Sequence, residues 1–179
     1  AYAVTNDTYY RLAEQFMPGP LTVILPKKDT IPLSVTGGLD TVAVRCPSHP
    51  VARALIAATG VPIAAPSANR SGKPSPTCAR HVVEDMDGRV DVILDGGDCD
   101  IGLESTIVKI EEDDSIVLLR PGAITYDALC MVVDRVSIAR AVSEQLQENE
   151  SPLSPGMKYR HYAPNAPVVL LDGEADAVL

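Results

Sequence analysis

The chain is poor in aromatic residues and in cations. With no tryptophan and a single phenylalanine in 179 residues, it offers no row of aromatic faces on which unpaired bases could stack. Lys and Arg number 15 against 24 Asp and Glu, a formal net charge of −9. That balance argues against broad electrostatic binding of nucleic acid, while leaving room for a local basic patch on an acidic body. No apolar run approaches membrane length, so no membrane-spanning segment is expected. Cys46, Cys78, Cys99 and Cys130 form no Cys-x-x-Cys pair and no Cys/His pair at ligand spacing. This argues against structural zinc and against a disulfide framework, and makes a reducing cytoplasm the simplest compartment. Ala1–Asn6 carry neither a basic nor an apolar region of the secretory kind, so no signal is expected there.

What is present is a hydrophobic content of 46%, enough for one sizeable core with room for part of a second unit. The pattern alternates helices and strands. A helix is expected over 8–16, capped by Asn6 or Thr5 and stopped at Met17-Pro18-Gly19-Pro20, then a strand over 21–25 closed by Pro26. A second strand follows over 41–45, then a helix from Ser48 to Ala58 that ends at Gly60. Short apolar runs at 62–65 and 90–94 read as buried strands, with a helix from Thr77 to about Met86 between them. Residues 105–110 and 116–120, split by the acidic turn Glu111-Glu112-Asp113-Asp114, read as a hairpin, and Thr125 caps a helix to about Val133. Hairpins mixed with helix-connected strands indicate an α/β fold: a twisted sheet of mixed parallel and antiparallel strands flanked by helices. The expected organisation is a main α/β domain over 1–136, a proline-punctuated linker over 137–166, and the first strand of a further unit over 167–179.

Between the run at 62–65 and the following helix lies Pro66-Ser67-Ala68-Asn69-Arg70-Ser71-Gly72-Lys73-Pro74-Ser75-Pro76-Thr77. Small hydroxyls, an amide and two cations, stiffened by prolines, provide donors suited to phosphate oxygens at a strand-to-helix junction. The spacing is not that of a Walker loop, because Gly72-Lys73 runs into proline and the earlier glycine is missing. Composition alone fits an ordinary turn-rich connector equally well.

Four ordered segments then carry a resemblance: Pro18-Gly19-Pro20-Leu21-Thr22, Gly38-Leu39-Asp40-Thr41-Val42-Ala43-Val44-Arg45, Ala65-Pro66-Ser67-Ala68-Asn69-Arg70-Ser71-Gly72 and Leu119-Arg120-Pro121-Gly122. Together they resemble the YrdC-like threonylcarbamoyl-AMP synthases. A fifth, Ser154-Pro155-Gly156-Met157-Lys158-Tyr159-Arg160-His161-Tyr162-Ala163-Pro164, resembles the linker of the long, two-domain members. The resemblance implies a YrdC-like fold and an enzyme that joins L-threonine, bicarbonate or CO2, and ATP into threonylcarbamoyl-AMP with release of pyrophosphate. The product would feed a downstream transferase complex that modifies adenosine in tRNA, and Mg2+ would accompany the triphosphate.

The same resemblance implies an ATP side made of Thr41, Ser67, Asn69, Ser75, Arg120 and, on the linker as a possible lid, Tyr162. Its threonine side would be Arg45, Ala65 through its backbone, and Ser105. Arg45 suits a carboxylate because a guanidinium forks onto it in two parallel bonds, and Thr41 shares its strand face by the period of two. Positioning and charge neutralisation, without a covalent enzyme intermediate, would carry the chemistry. Family members also carry a Lys-x-Arg stretch ahead of the first helix that nothing in this sequence matches, so the expectation is a fragment that is impaired by itself. Two other classes share parts of the pattern: a carbamoyl-transfer module of the hydrogenase-maturation type, and a nonenzymatic domain with weak RNA binding.

Overall fold

Alternating side chains in three consecutive strands decide which sheet face is dry. The computed structural model of the chain describes residues 1–143. It contains α1 (Asp7–Phe16), β1 (Leu21–Pro26), β2 (Thr41–Arg45), α2 (Pro50–Thr59), α3 (Ala79–Met86), β3 (Thr106–Ile110), β4 (Ile116–Arg120), α4 (Tyr126–Cys130), β5 (Val136–Ile138) and α5 (Arg140–Ser143). The strands form one five-stranded sheet in the order β2-β1-β3-β4-β5. β1 pairs antiparallel with β2 and parallel with β3, β3 antiparallel with β4, and β4 parallel with β5. The α/β architecture with a mixed sheet is therefore as the sequence indicates.

Leu21, Val23 and Leu25 of β1, Val108 and Ile110 of β3, and Ile116 and Leu118 of β4 gather on one face, beneath Leu12 of α1 and Leu129 of α4. At about 1.5–3 kcal/mol for each fully buried aliphatic side chain, this layer is the main source of stability. α1 starts where the Asn6 side chain accepts the Tyr9 N–H at 2.9 Å, a side-chain cap on an otherwise orphan donor. α4 starts in the same way, with Thr125 Oγ1 accepting from Ala128 N at 3.2 Å. On the opposite face a smaller cluster of Ile24, Ile107 and Leu119 is covered in part by Ala139.

Several local expectations are corrected. The runs at 62–65 and 90–94 form no strand; among the described residues both are irregular chain outside the sheet. A strand needs a neighbour's N–H and C=O groups, and neither run lies against one. α2 begins after His49, whose side chain makes no cap, with Pro50 in its first turn, and it ends at Gly60 with φ +66. α3 begins after Cys78 instead of Thr77; the Thr77 hydroxyl lies 3.4 Å from His81 Nδ1 instead. Neither α2 nor α3 buries a residue. The first residues of the stretch read as a linker, 137–143, run on as β5 and α5; the rest of that stretch, and 167–179, lie outside the described residues. Among the described residues no helix is long and apolar enough to cross a membrane.

One junction aligns the sheet end with the chain that follows β4. The fully buried Thr106 takes its N–H to Pro20 O at 2.9 Å, while its hydroxyl donates to Ile124 O at 2.8 Å and accepts from Ile124 N at 3.0 Å. Gly122 passes so close that an added Cβ would sit 2.6 Å from Thr106 N and 2.8 Å from Thr106 Oγ1. Only a residue without a side chain fits there. Elsewhere, the hairpin turn is closed by Asp113, whose carboxylate accepts from Ser115 Oγ at 2.6 Å and Ser115 N at 3.2 Å and pairs with Arg135 at 2.8 Å.

Two stability measurements follow from these contacts. Thr106→Val keeps the shape but strands the Ile124 N–H and C=O, and is expected to cost about 1–3 kcal/mol, read as a lower urea midpoint with an unchanged slope; an unchanged midpoint would contradict the junction. The Ser115 hydroxyl and N–H, and then the Arg135 charge, hold the Asp113 carboxyl below its ordinary 3.8. A depressed folded value means the contribution is complete above 3.8 and lost as pH falls through the lower folded value. The stability gap between the unvaried protein and Asp113→Asn should accordingly be present at neutral pH and close in acid. A gap that widens in acid would contradict this arrangement.

Candidate functional site

Register, together with a β-bulge in the β3–β4 pairing, places four polar residues at the same end and on the same face of the sheet. Arg45 closes β2 and stands opposite Thr22 near the start of β1; Thr22 stands opposite Ile107 of β3, which stands opposite Arg120 at the close of β4. Ser105 immediately precedes β3 and is buried. Its hydroxyl is the meeting point: Arg120 Nη2 donates to it at 3.1 Å, Arg45 Nη1 reaches it at 3.5 Å, and Thr22 Oγ1 lies 2.9 Å away. A serine hydroxyl has two lone pairs and one proton. With the two arginines on the lone pairs, the proton goes to Thr22.

Arg120 is fixed further by Nε donating to the Ser105 carbonyl at 3.0 Å and by an ion pair between Nη1 and Glu104 Oε2. The other Glu104 oxygen accepts the Ser75 hydroxyl, which brings the polar loop against the sheet end. Arg120, paired with Glu104, stands at the wall of a cavity of about 520 Å³, which Arg45 does not line. The cavity is lined by Pro74, Ser75, Gly102, Leu103, Glu104, Arg120, Pro121 and Gly122. Its volume lies in the range of small-molecule sites, and fixed donors beside a half-buried charge suit an anionic ligand.

Of the residues singled out from sequence, Arg45, Ser75, Ser105 and Arg120 come together. Thr41 does not join them; it shares the face of Arg45 but sits at the other end of β2, opposite Pro26, roughly 13 Å along the strand at the usual rise. Ala65 and Ser67 are exposed on the chain leading into the loop. Asn69 organises the loop from inside, with Nδ2 donating to the carbonyls of Arg70 and Lys73, both at 3.0 Å. Its Oδ1 is buried and has no hydrogen-bond partner among the described residues. Tyr162 lies outside the described residues. Sequence reasoning passed over Glu104 and Thr22; their signal was position, Glu104 preceding Ser105 and Thr22 sharing the face of Arg45 across the register.

Comparison with known proteins identifies the family. The family described as telomere recombination (Sua5, YciO and YrdC) matches residues 1–122, and the threonylcarbamoyl-AMP synthase C-terminal domain matches residues 124–179. A threonylcarbamoyl-AMP synthase of Bacillus subtilis is 52% identical over 93% of this chain and 47% of its own length. One from Pyrococcus abyssi is 50% identical over 93% of this chain and 48% of its own. The crystal structure of P. abyssi Sua5 complexed with L-threonine superposes with a TM-score of 0.90 at 47% identity, over 98% of this chain and 51% of that one. The chain spans about half the length of the curated relatives it matches. With a sheet, a sequence and a family match that agree along most of its length, the chain belongs to the Sua5/YciO/YrdC family.

Proposed function

We propose that the protein containing this chain is an L-threonylcarbamoyladenylate synthase, a nucleotidyltransferase. The observation that carries the reading is the convergence of Arg45 and Arg120 on Ser105 beside a single carboxylate. One guanidinium can then serve the threonine carboxylate and the other a nucleotide phosphate, with Ser105 holding the two sites in register. The threonine amine attacks CO2, the nitrogen loses a proton to solvent, and the carbamate oxygen attacks the α-phosphorus of ATP as pyrophosphate departs. Both arginines act by orientation and charge, in place before the reaction begins.

The ATP side is assigned to Arg120, Ser67, Asn69, Ser75 and Thr41, with Tyr162 of the linker over it, and the threonine side to Arg45, Ala65 and Ser105. Ser75 donates its one O–H to Glu104, so its oxygen suits a ribose hydroxyl as acceptor better than a phosphate. Thr41 is the weakest of the set, since it would need ligand extending along β2. No group of three or more His, Cys, Asp or Glu side chains suited to a metal occurs among the described residues. Mg2+ is therefore assigned to the ATP it accompanies, held by phosphate oxygens and water. The product's consumer would be a tRNA-modifying transferase in the cytoplasm; RNA binding by this acidic chain would be weak.

Pyrophosphate release, assayed on the full-length protein, should require L-threonine and bicarbonate together; threonine-independent release would overturn the reading. Arg45→Ala should raise KM for threonine by about 10- to 100-fold, the loss of one or two charge-assisted bonds, with KM for ATP nearly unchanged. Equal effects on both substrates would remove Arg45 from the threonine side.

A further inference from the structure

Glu104 is the one carboxylate in the cluster, and both of its oxygens are occupied. Oε1 accepts from Ser75 on the loop, and Oε2 pairs with Arg120 on β4. The two partners lie 29 and 16 residues away in sequence, so one side chain joins two segments that the fold brings together. An arginine has five N–H donors. Among the described residues three are engaged, to the Ser105 carbonyl, the Ser105 hydroxyl and Glu104, which leaves two for a ligand. The direction of those two is set by the three that are held. The Glu104 and Arg120 side chains are 24% and 22% exposed, so they lie at the cavity wall, where orientation counts for more than in free solvent.

We propose that Glu104 is a positioning residue for the nucleotide: it aims the free edge of the Arg120 guanidinium into the cavity and holds the Ser75 loop at matching height. The inference rests on the functional reading above and adds to it a residue that touches no substrate. It carries a sign that separates it from simple electrostatics. A carboxylate beside a phosphate site repels the ligand, so if Glu104 contributed only charge, removing that charge would tighten ATP binding. If it positions, removing it misdirects the donors and weakens ATP binding despite the gain in positive charge.

The test uses the full-length protein, with ATP and L-threonine titrated separately by calorimetry. Glu104→Gln keeps the side chain's size and an acceptor for Ser75 while losing the ion pair, and is expected to raise the Kd for ATP about tenfold with threonine affinity within about twofold of the unvaried protein. Retained threonine affinity also certifies that the variant is folded; Glu104→Ala should weaken ATP further by freeing the loop as well. An ATP affinity that is unchanged or tighter in Glu104→Gln, or a parallel loss for both ligands, would overturn the positioning role while leaving the proposed function standing. Failure of the unvaried protein to bind ATP would overturn the functional reading and this inference with it.

Discussion

The geometry of the site depends on the hydrogen bonds that hold the Arg120 guanidinium against Ser105 and Glu104. They tie the end of β4 to the chain just before β3, and through Ser75 they reach the loop beyond α2. Each contact is worth little by itself at a partly exposed site. Their value is directional, since a planar guanidinium held at three of its N–H groups presents the remaining two in a fixed orientation. The sheet makes this possible by bringing the ends of β2 and β4 and the starts of β1 and β3 to one edge of one face.

That arrangement rests in turn on the buried layer beneath. Leu21, Val23 and Leu25 turn their alternation toward α1 and α4, which obliges Thr22 to face the other way, toward Ser105. The Thr106 hydroxyl fixes Ile124, and the missing side chain at Gly122 lets the turn after Arg120 fold back onto the start of β3. Packing on one face thus decides chemistry on the other, and a register shift of one residue would bury the arginines and expose the core.

The strands β1, β2, β3 and β4 were legible because their apolar alternation and turns are local properties, as were the caps at Asn6 and Thr125. The runs at 62–65 and 90–94 have the composition of strands but form none among the described residues, because a ladder depends on a neighbour that composition does not specify. In the site, Arg45, Ser105 and Arg120 were singled out through the family resemblance, and Ser75 as a loop hydroxyl within the same pattern. Glu104 was not, since its role depends on partners distant in sequence. Thr41 was placed on the correct face by parity, but parity is silent about the distance along a strand.

In the proposed function a directed guanidinium, and not positive charge alone, forms the nucleotide side. This is tested most directly by titrating ATP into full-length protein carrying Arg120→Lys, which keeps the charge and loses the planar fork. ATP affinity should fall more than about tenfold while L-threonine still binds. ATP binding as tight as that of the unvaried protein would contradict it.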